Sequence, residues 1–240
     1  MMKKGILIFD ICSSTEILET LVNSGHENEY INLIRKMDDC LKILSQFFSF
    51  TNYKFLGDGF ILVINSEIIK TEDVIYLSYI INKIGNYLLN DITDNYVQIS
   101  LKRKGFTFGY DIGDVSDFHV ANKLEFAGKP INLSSRLQGS LDKQEDAGCV
   151  LFSLEARNNI ESKQFKTIIN KSEKERTFKN ICGDKPIRCF YYNLENNEIL
   201  NNVKTMPEKR YPIRIVKKEE AEINVKDVFN DLNFSYFILE

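Results

Sequence analysis

The 240-residue chain is short of several things that would each point to a function. It has only two histidines, His26 and His119, and its five cysteines (Cys12, Cys40, Cys149, Cys182 and Cys189) are scattered with no CxxC spacing. A zinc cluster is therefore excluded, and reduced thiols in a core are the expectation. Charge of one sign is missing too: 31 lysines and arginines nearly balance 34 aspartates and glutamates, for a net charge of −3. That balance gives no reason to expect nucleic acid or an anionic membrane as partner. No apolar run approaches the roughly twenty residues that span a bilayer, and the stretch after Met1-Met2-Lys3-Lys4 is too short for a signal peptide. Internal repeats and low-complexity segments are absent as well. The reading is a cytoplasmic protein with one substantial domain over residues 1–194.

What is present is an alternation of strand and helix patterns. Gly5 to Phe9 reads as a strand, and Ser13-Ser14-Thr15-Glu16 as the capped start of a helix. Asn28 to Phe48 and Thr71 to Leu89 are amphipathic helices. Tyr53 to Leu56 and Phe60 to Ile64 form a hairpin about Gly57-Asp58-Gly59, whose glycines permit positive φ. Gly105 to Val115 is a strand ending in a Gly113-Asp114 turn, and Ile131 to Leu141 a helix. Cys149 to Phe152, Phe165 to Ile169 and Pro186 to Leu194 are expected as the last strands. Residues 195–240 then read as a linker and tail, with Glu195-Asn196-Asn197-Glu198 and Lys217-Lys218-Glu219-Glu220 as solvated runs. Within the tail, Val225, Val228, Phe229 and Leu232 at helical spacing and Phe234, Tyr236 and Ile238 in alternation predict that residues 223–239 dock.

The chemistry points to Asp10 and Asp58, each at the junction of a short apolar strand and a tight turn. Carboxylates at the ends of neighbouring strands can share hard divalent cations through oxygen ligands. Two such ions can clamp a triphosphate and activate a hydroxyl for in-line attack. Ser13, Ser14 and Thr15 follow where a helix N-terminus turns its free amides toward an anion, so capping and phosphate binding coexist there. Asn132 and Arg136, four apart on one helical face, can reach one substrate from one side.

Three segments in this order resemble the catalytic domain of the class III nucleotidyl cyclases: Ile8-Phe9-Asp10-Ile11-Cys12-Ser13-Ser14-Thr15, Lys54-Phe55-Leu56-Gly57-Asp58-Gly59-Phe60, and Phe126-Ala127-Gly128-Lys129-Pro130-Ile131-Asn132-Leu133-Ser134-Ser135-Arg136. The resemblance covers most of residues 4–194. It implies an α+β fold, a ferredoxin-like βαββαβ core with extra strands, and a head-to-tail homodimer with active sites across the interface. It further implies that Asp10 and Asp58 are metal-binding carboxylates, with Ile11 lending a backbone carbonyl, for two Mg²⁺ or Mn²⁺ ions per site. Asn132 would orient the ribose and Arg136 would stabilise charge on the α-phosphate, which its planar, permanently charged fork suits. Lys179, with Lys185 as substitute, would grip the terminal phosphates, although Asn180 stands where the family has glycine.

The resemblance places Lys54 and Glu125 against the nucleobase. Guanylate cyclases carry a glutamate and a cysteine there and adenylate cyclases a lysine and an aspartate, so this pair argues against guanine. Hydrogen-bond inventory permits adenine, cytosine or uracil. Two features tilt toward a pyrimidine: glutamate is one methylene longer than aspartate, and the cyclase pattern begins at the first residues with no sensor ahead of it. Enzymes of that arrangement are found among the cytidylate and uridylate cyclases of Pycsar antiphage systems, whose product activates a separate effector. An adenylate cyclase is the alternative, and a degenerate domain that binds nucleotide or dimerises without chemistry is a third reading. The sequence argues against another palm-like phosphoryl-transfer family such as the diguanylate cyclases, because Gly57-Asp58-Gly59-Phe60 is not a Gly-Gly-Asp/Glu-Glu-Phe turn.

Overall fold

The computed structural model describes residues 2–96, 104–179, 181, 183 and 185–195, with the backbone of 214–216 and 237–239. Strand β1 (Met2–Ile11) pairs antiparallel with β3 (Gly59–Ile64) on one side and β4 (Phe106–Val120) on the other. Beyond β3 lies its hairpin partner β2 (Phe50–Phe55). Helices α1 (Ser14–Asn23) and α2 (Glu27–Phe47) connect β1 to β2, and α3 (Thr71–Asn95) connects β3 to β4. The order β2-β3-β1-β4, antiparallel throughout with helical crossovers, is the expected ferredoxin-like unit.

Past β4 the sheet is extended by β6 (Cys149–Ser153), β8 (Ile187–Asn193) and β7 (Glu173–Arg176), while β5 (Lys123–Ala127) pairs only with the far half of β4. Helix α4 (Lys129–Gly139) lies between β5 and β6 in the chain, and α5 (Leu154–Asn158) and α6 (Lys163–Asn170) between β6 and β7. Side-chain alternation divides β1 between two faces. Leu7, Phe9 and Ile11 join the large core beneath α1, α2 and α3, whereas Ile6 and Ile8 join a small cluster with Ile61, Val63 and Val115 on the α4 side. Asp10 follows that second phase. In α2 the buried stripe is Tyr30, Leu33, Met37, Cys40, Leu41, Ile43 and Leu44, and Ile31 is exposed.

Three expectations need correction. Phe165 to Ile169 is not a strand but part of helix α6: the Ser162 hydroxyl caps it by accepting from Phe165 N–H at 3.2 Å, and Phe165 and Ile169, four apart, are its buried face. The expected turn at Gly113-Asp114 does not form, and β4 runs on to Val120. Gly113 serves close packing instead, since a Cβ there would stand 2.9 Å from Pro130 Cγ at the start of α4. The reversal comes at Ala121-Asn122, both at positive φ, and gives a β4–β5 hairpin. Ser13 does not cap α1 through its side chain but adopts left-handed backbone with φ 58°. Of the tail segment expected to dock, residues 223–236 lie outside the described residues. Its end forms a separate two-stranded parallel sheet of β9 (Arg214–Val216) and β10 (Phe237–Leu239).

Candidate active site

Strand pairing brings the two aspartates together. Asp10 sits one residue inside the end of β1, opposite Gly59, and Ile11 N–H donates to the Asp58 carbonyl at 3.1 Å. The β2–β3 turn is thereby tied to the end of β1 with both carboxylates on the α4 side. Gly57 takes φ 102° to make the turn, and Gly59 is needed for proximity, because a Cβ there would stand 2.2 Å from the Phe9 carbonyl oxygen. The buried Ser14 hydroxyl at the start of α1 donates to Asp58 Oδ2. Lys143 Nζ lies 2.5 Å from Asp10 Oδ2 and 3.8 Å from Asp58 Oδ2. Among the described residues Asp10 Oδ1 is buried with no hydrogen-bond partner. Burial, then the neighbouring Asp58, pushes the Asp10 carboxyl up to about 6, against the pull of Lys143.

A second cluster forms where β2 meets β5. Lys54 Nζ is 2.6 Å from Glu125 Oε2, and the Tyr53 hydroxyl donates to the same oxygen. Tyr53 in turn accepts from Lys54 Nζ and from Phe126 N–H, each at 3.2 Å, and its ring meets Phe126 edge-on at 4.9 Å. Lys54 and then Tyr53 hold the Glu125 carboxyl below its usual range, and Glu125 holds Lys54 above its own. A carboxylate so clamped keeps one fixed direction and presents its other oxygen, Oε1, as an acceptor.

Helix α4 begins with Pro130 in its first turn, where a missing N–H costs nothing. Leu133, Ser134, Leu137 and Gln138 lie on the sheet, with Ser134 Oγ donating to the Ile6 carbonyl at 2.8 Å. Asn132 and Arg136 fall on the opposite, exposed face. Neither has a hydrogen bond or ion pair with Asp10, Asp58, Lys54 or Glu125 among the described residues. Ser13 is half-buried and Thr15 exposed beside the acid pair, and Lys179 and Lys185 are both exposed. Lys185 lines a separate cavity of about 720 Å³ with Asp111, Lys129 and Arg188. The structure thus gathers Asp10, Ile11, Ser14 and Asp58 at one point and Lys54 and Glu125 at another. Sequence reasoning missed Tyr53 and Lys143. Tyr53 adjoins a residue already singled out. Lys143 gives no local signal, since Asp142-Lys143-Gln144-Glu145-Asp146 reads as a solvated charge run.

A divalent cation fits the acid pair. Among the described residues no group of three or more His, Cys, Asp or Glu side chains is placed to hold a metal. Two carboxylates with one buried oxygen wanting a partner suit a small hard divalent cation that shares its coordination with water and phosphate rather than filling a closed protein cage.

Comparison with solved structures places this fold. The adenylyl cyclase CyaB from P. aeruginosa matches with a TM-score of 0.54 and 19% identity, over 79% of this chain and 92% of that one. The guanylyl cyclase Cya2 matches with a TM-score of 0.55 and 14% identity, over 79% and 90%. The chain has the fold of a class III nucleotidyl cyclase catalytic domain. A class III adenylyl cyclase-like ATP-binding protein from Pseudomonas aeruginosa shares this cyclase fold as well, with a TM-score of 0.57 and 15% identity over 71% of this chain and 37% of that one. No protein-family model and no curated protein sequence matches the chain. Within the cyclase fold, β1 and the β2–β3 hairpin carry the acid pair, and no helix among the described residues is long and apolar enough to cross a membrane.

Proposed function

We propose that the protein is a nucleotidyl cyclase that converts a pyrimidine nucleoside triphosphate, UTP or CTP, into its 3′,5′-cyclic monophosphate and pyrophosphate. The observation that carries this reading is the acid pair itself: Asp10 and Asp58 held side by side with a buried, unpartnered Asp10 Oδ1. Two Mg²⁺ or Mn²⁺ ions bound there would supply the charge that clamps the triphosphate and makes the ribose 3′-hydroxyl a better nucleophile. Asp10, Asp58 and the Ile11 carbonyl would hold the ions, and the free amides at the start of α1, with Ser13 and Thr15, would receive phosphate oxygens. The 3′-oxygen bonds to the α-phosphorus as the bond to the pyrophosphate oxygen breaks, and the hydroxyl proton leaves to solvent. Charge developing on the α-phosphate is met by Arg136, while Asn132 orients the ribose.

Arg136 and Asn132 serve this reaction from a second copy of the chain. They lie on the face of α4 turned away from their own sheet, so a head-to-tail homodimer brings each pair to the partner's acid pair. Large apolar side chains surround that route: Phe55 and Leu56 beside the Asp58 turn, and Phe118, Val120 and Leu124 on the β4–β5 hairpin are exposed. Base choice rests on Lys54, Tyr53 and Glu125. The glutamate and the phenol bonded to it carry the recognition edge further from the strands than an aspartate would, which leaves room for one ring rather than two. The product would act as a second messenger for a separate effector, as in antiphage defence.

The test is incubation of the purified protein with ATP, CTP, GTP or UTP and Mn²⁺, with products identified by mass spectrometry. Cyclic CMP or cyclic UMP is expected and GTP should be left intact. Preference for ATP would make it an adenylate cyclase, and no product from any of the four would remove the enzymatic reading.

A further inference from the structure

Among the described residues Lys143 is the one cation on the acid pair, and nothing in the proposed reaction uses it. Its ammonium sits 2.5 Å from Asp10 Oδ2 and 3.8 Å from Asp58 Oδ2, which is where a bridging cation would be attracted. The contact is not a chance of a loose side chain. Lys143 belongs to the segment 140–148 between α4 and β6, pinned at both ends by the buried Leu141 and Ala147. Asp142 Oδ1 accepts from Gln144 N–H at 2.7 Å and from Glu145 N–H at 3.2 Å, and Asp146 Oδ2 accepts from Asp142 N–H at 2.9 Å. The Tyr191 hydroxyl donates to Asp146 Oδ1 at 3.1 Å and ties the turn to β8. A rigid turn therefore aims Lys143 at the two aspartates, while its side chain, 42% exposed, is free to swing out to water.

We propose that Lys143 is a built-in counter-ion that neutralises the Asp10–Asp58 pair in the metal-free protein and competes with the divalent cation for it. The proposal rests on reading Asp10 and Asp58 as metal ligands. Two carboxylates this close repel, and a partly buried pair needs a positive charge to remain ionised. An ammonium can supply that charge but cannot share the position with a doubly charged ion, because the like charges would stand only a few ångströms apart. Binding of the ion therefore requires Lys143 to withdraw, and the ion's apparent affinity is lowered by the cost of that withdrawal. This gives a sign that a merely structural lysine would not: losing Lys143 should strengthen metal binding.

The experiment is a Mn²⁺ titration of the full-length, nucleotide-free protein, with free Mn²⁺ read by electron paramagnetic resonance. Lys143→Met and Lys143→Gln should each bind Mn²⁺ at least tenfold more tightly than wild type, and Lys143→Arg should stay near wild type. In EDTA the Met and Gln variants should melt below wild type, and saturating Mn²⁺ should close the gap. Folded Met and Gln variants that bind Mn²⁺ no more tightly than wild type would overturn the proposal while leaving the metal site standing, provided Asp10→Asn and Asp58→Asn lose the ion. If those two aspartate variants bind Mn²⁺ as wild type does, the ion sits elsewhere, and the reading of the acid pair fails together with the proposal built on it.

Discussion

One methyl group added at Gly59 tests whether strand pairing is what holds the two aspartates together. The Cβ of Gly59→Ala would stand 2.2 Å from the Phe9 carbonyl oxygen and 3.1 Å from both Asp10 Cα and Asp10 Oδ1. Unstrained carbon contacts lie near 3.5 Å, so β3 must retreat from β1 by roughly 1 Å. The obstacle is backbone, which cannot rotate away as a side-chain tip can. Overpacking of this kind costs about 1–3 kcal/mol, and loosening the adjacent Ile11 N–H to Asp58 carbonyl bond adds about 1 kcal/mol. A total of roughly 2–4 kcal/mol corresponds to a fall in Tm of about 5–15 °C for a domain of this size. Because the strain lands between the two carboxylates, cyclase turnover should fall about a hundredfold, the usual cost of misplacing reacting groups by about 1 Å. Gly57→Ala is the control: its Cβ meets nothing within 4 Å, but φ 102° makes it strained. That variant should lose about 1–3 kcal/mol of stability with a much smaller loss of Mn²⁺ affinity. Urea melts, Mn²⁺ titration and a pyrophosphate-release assay separate the two effects. A Gly59→Ala protein with wild-type melting and turnover would refute the argument that this close approach builds the site.

Asp10→Ala and Arg136→Ala should each be inactive alone, yet a random mixture should recover about a quarter of wild-type activity, since half the dimers are mixed and each has one intact site. An inactive, verified heterodimer would show that the site is not assembled across the interface. Glu125→Gln should change the relative turnover of ATP, CTP and UTP by roughly five- to a hundredfold, because an amide can donate where the carboxylate only accepts. Its Mn²⁺ dependence should be unchanged, and constant selectivity in both Glu125→Gln and Lys54→Ala would place base reading elsewhere. Asp111, on β4 and 2% exposed, has its carboxyl pushed up to about 6 by burial, against the pull of the Ser153 hydroxyl and the Ile112 amide. The folded chain therefore holds that proton more tightly than the unfolded one. Its contribution to stability is fully present below about pH 3.8 and is lost as pH rises through about 6, a change of roughly 3 kcal/mol. Asp111→Asn should flatten that part of the stability–pH curve, and urea melts between pH 4 and 7 that keep the same slope would assign it to other groups.

The sequence by itself determined the elements whose signals are local. Side-chain period marks α2 and α3 as one-sided helices, and Gly57-Asp58-Gly59 announces its hairpin because only glycine accepts φ 102° without strain. The acid pair was legible as two residue types at two strand ends, whereas Lys54 and Glu125, placed by their spacing from Gly57 and Gly128, and Asn132 and Arg136, four apart on one helical face, took their roles from the family resemblance. Tertiary structure decided what depends on neighbours distant in the chain. Phe165 to Ile169 is short and apolar, and either period can bury it; the Ser162 cap and the packing of Phe165 against Tyr192 on β8 select helix. Gly113 looks like a turn until Pro130 is packed against it, and Ala121-Asn122 carries no glycine to announce the real one. That Asp10 and Asp58 share one point follows from the pairing of β1 with β3, which no local pattern specifies. Lys143 reaches Asp10 from 133 residues away, because α4 and the turn after it lie across the same sheet face. A charged side chain in a charged loop is read from sequence as solvated, and only the folded chain reveals that it reaches a pair of partly buried carboxylates.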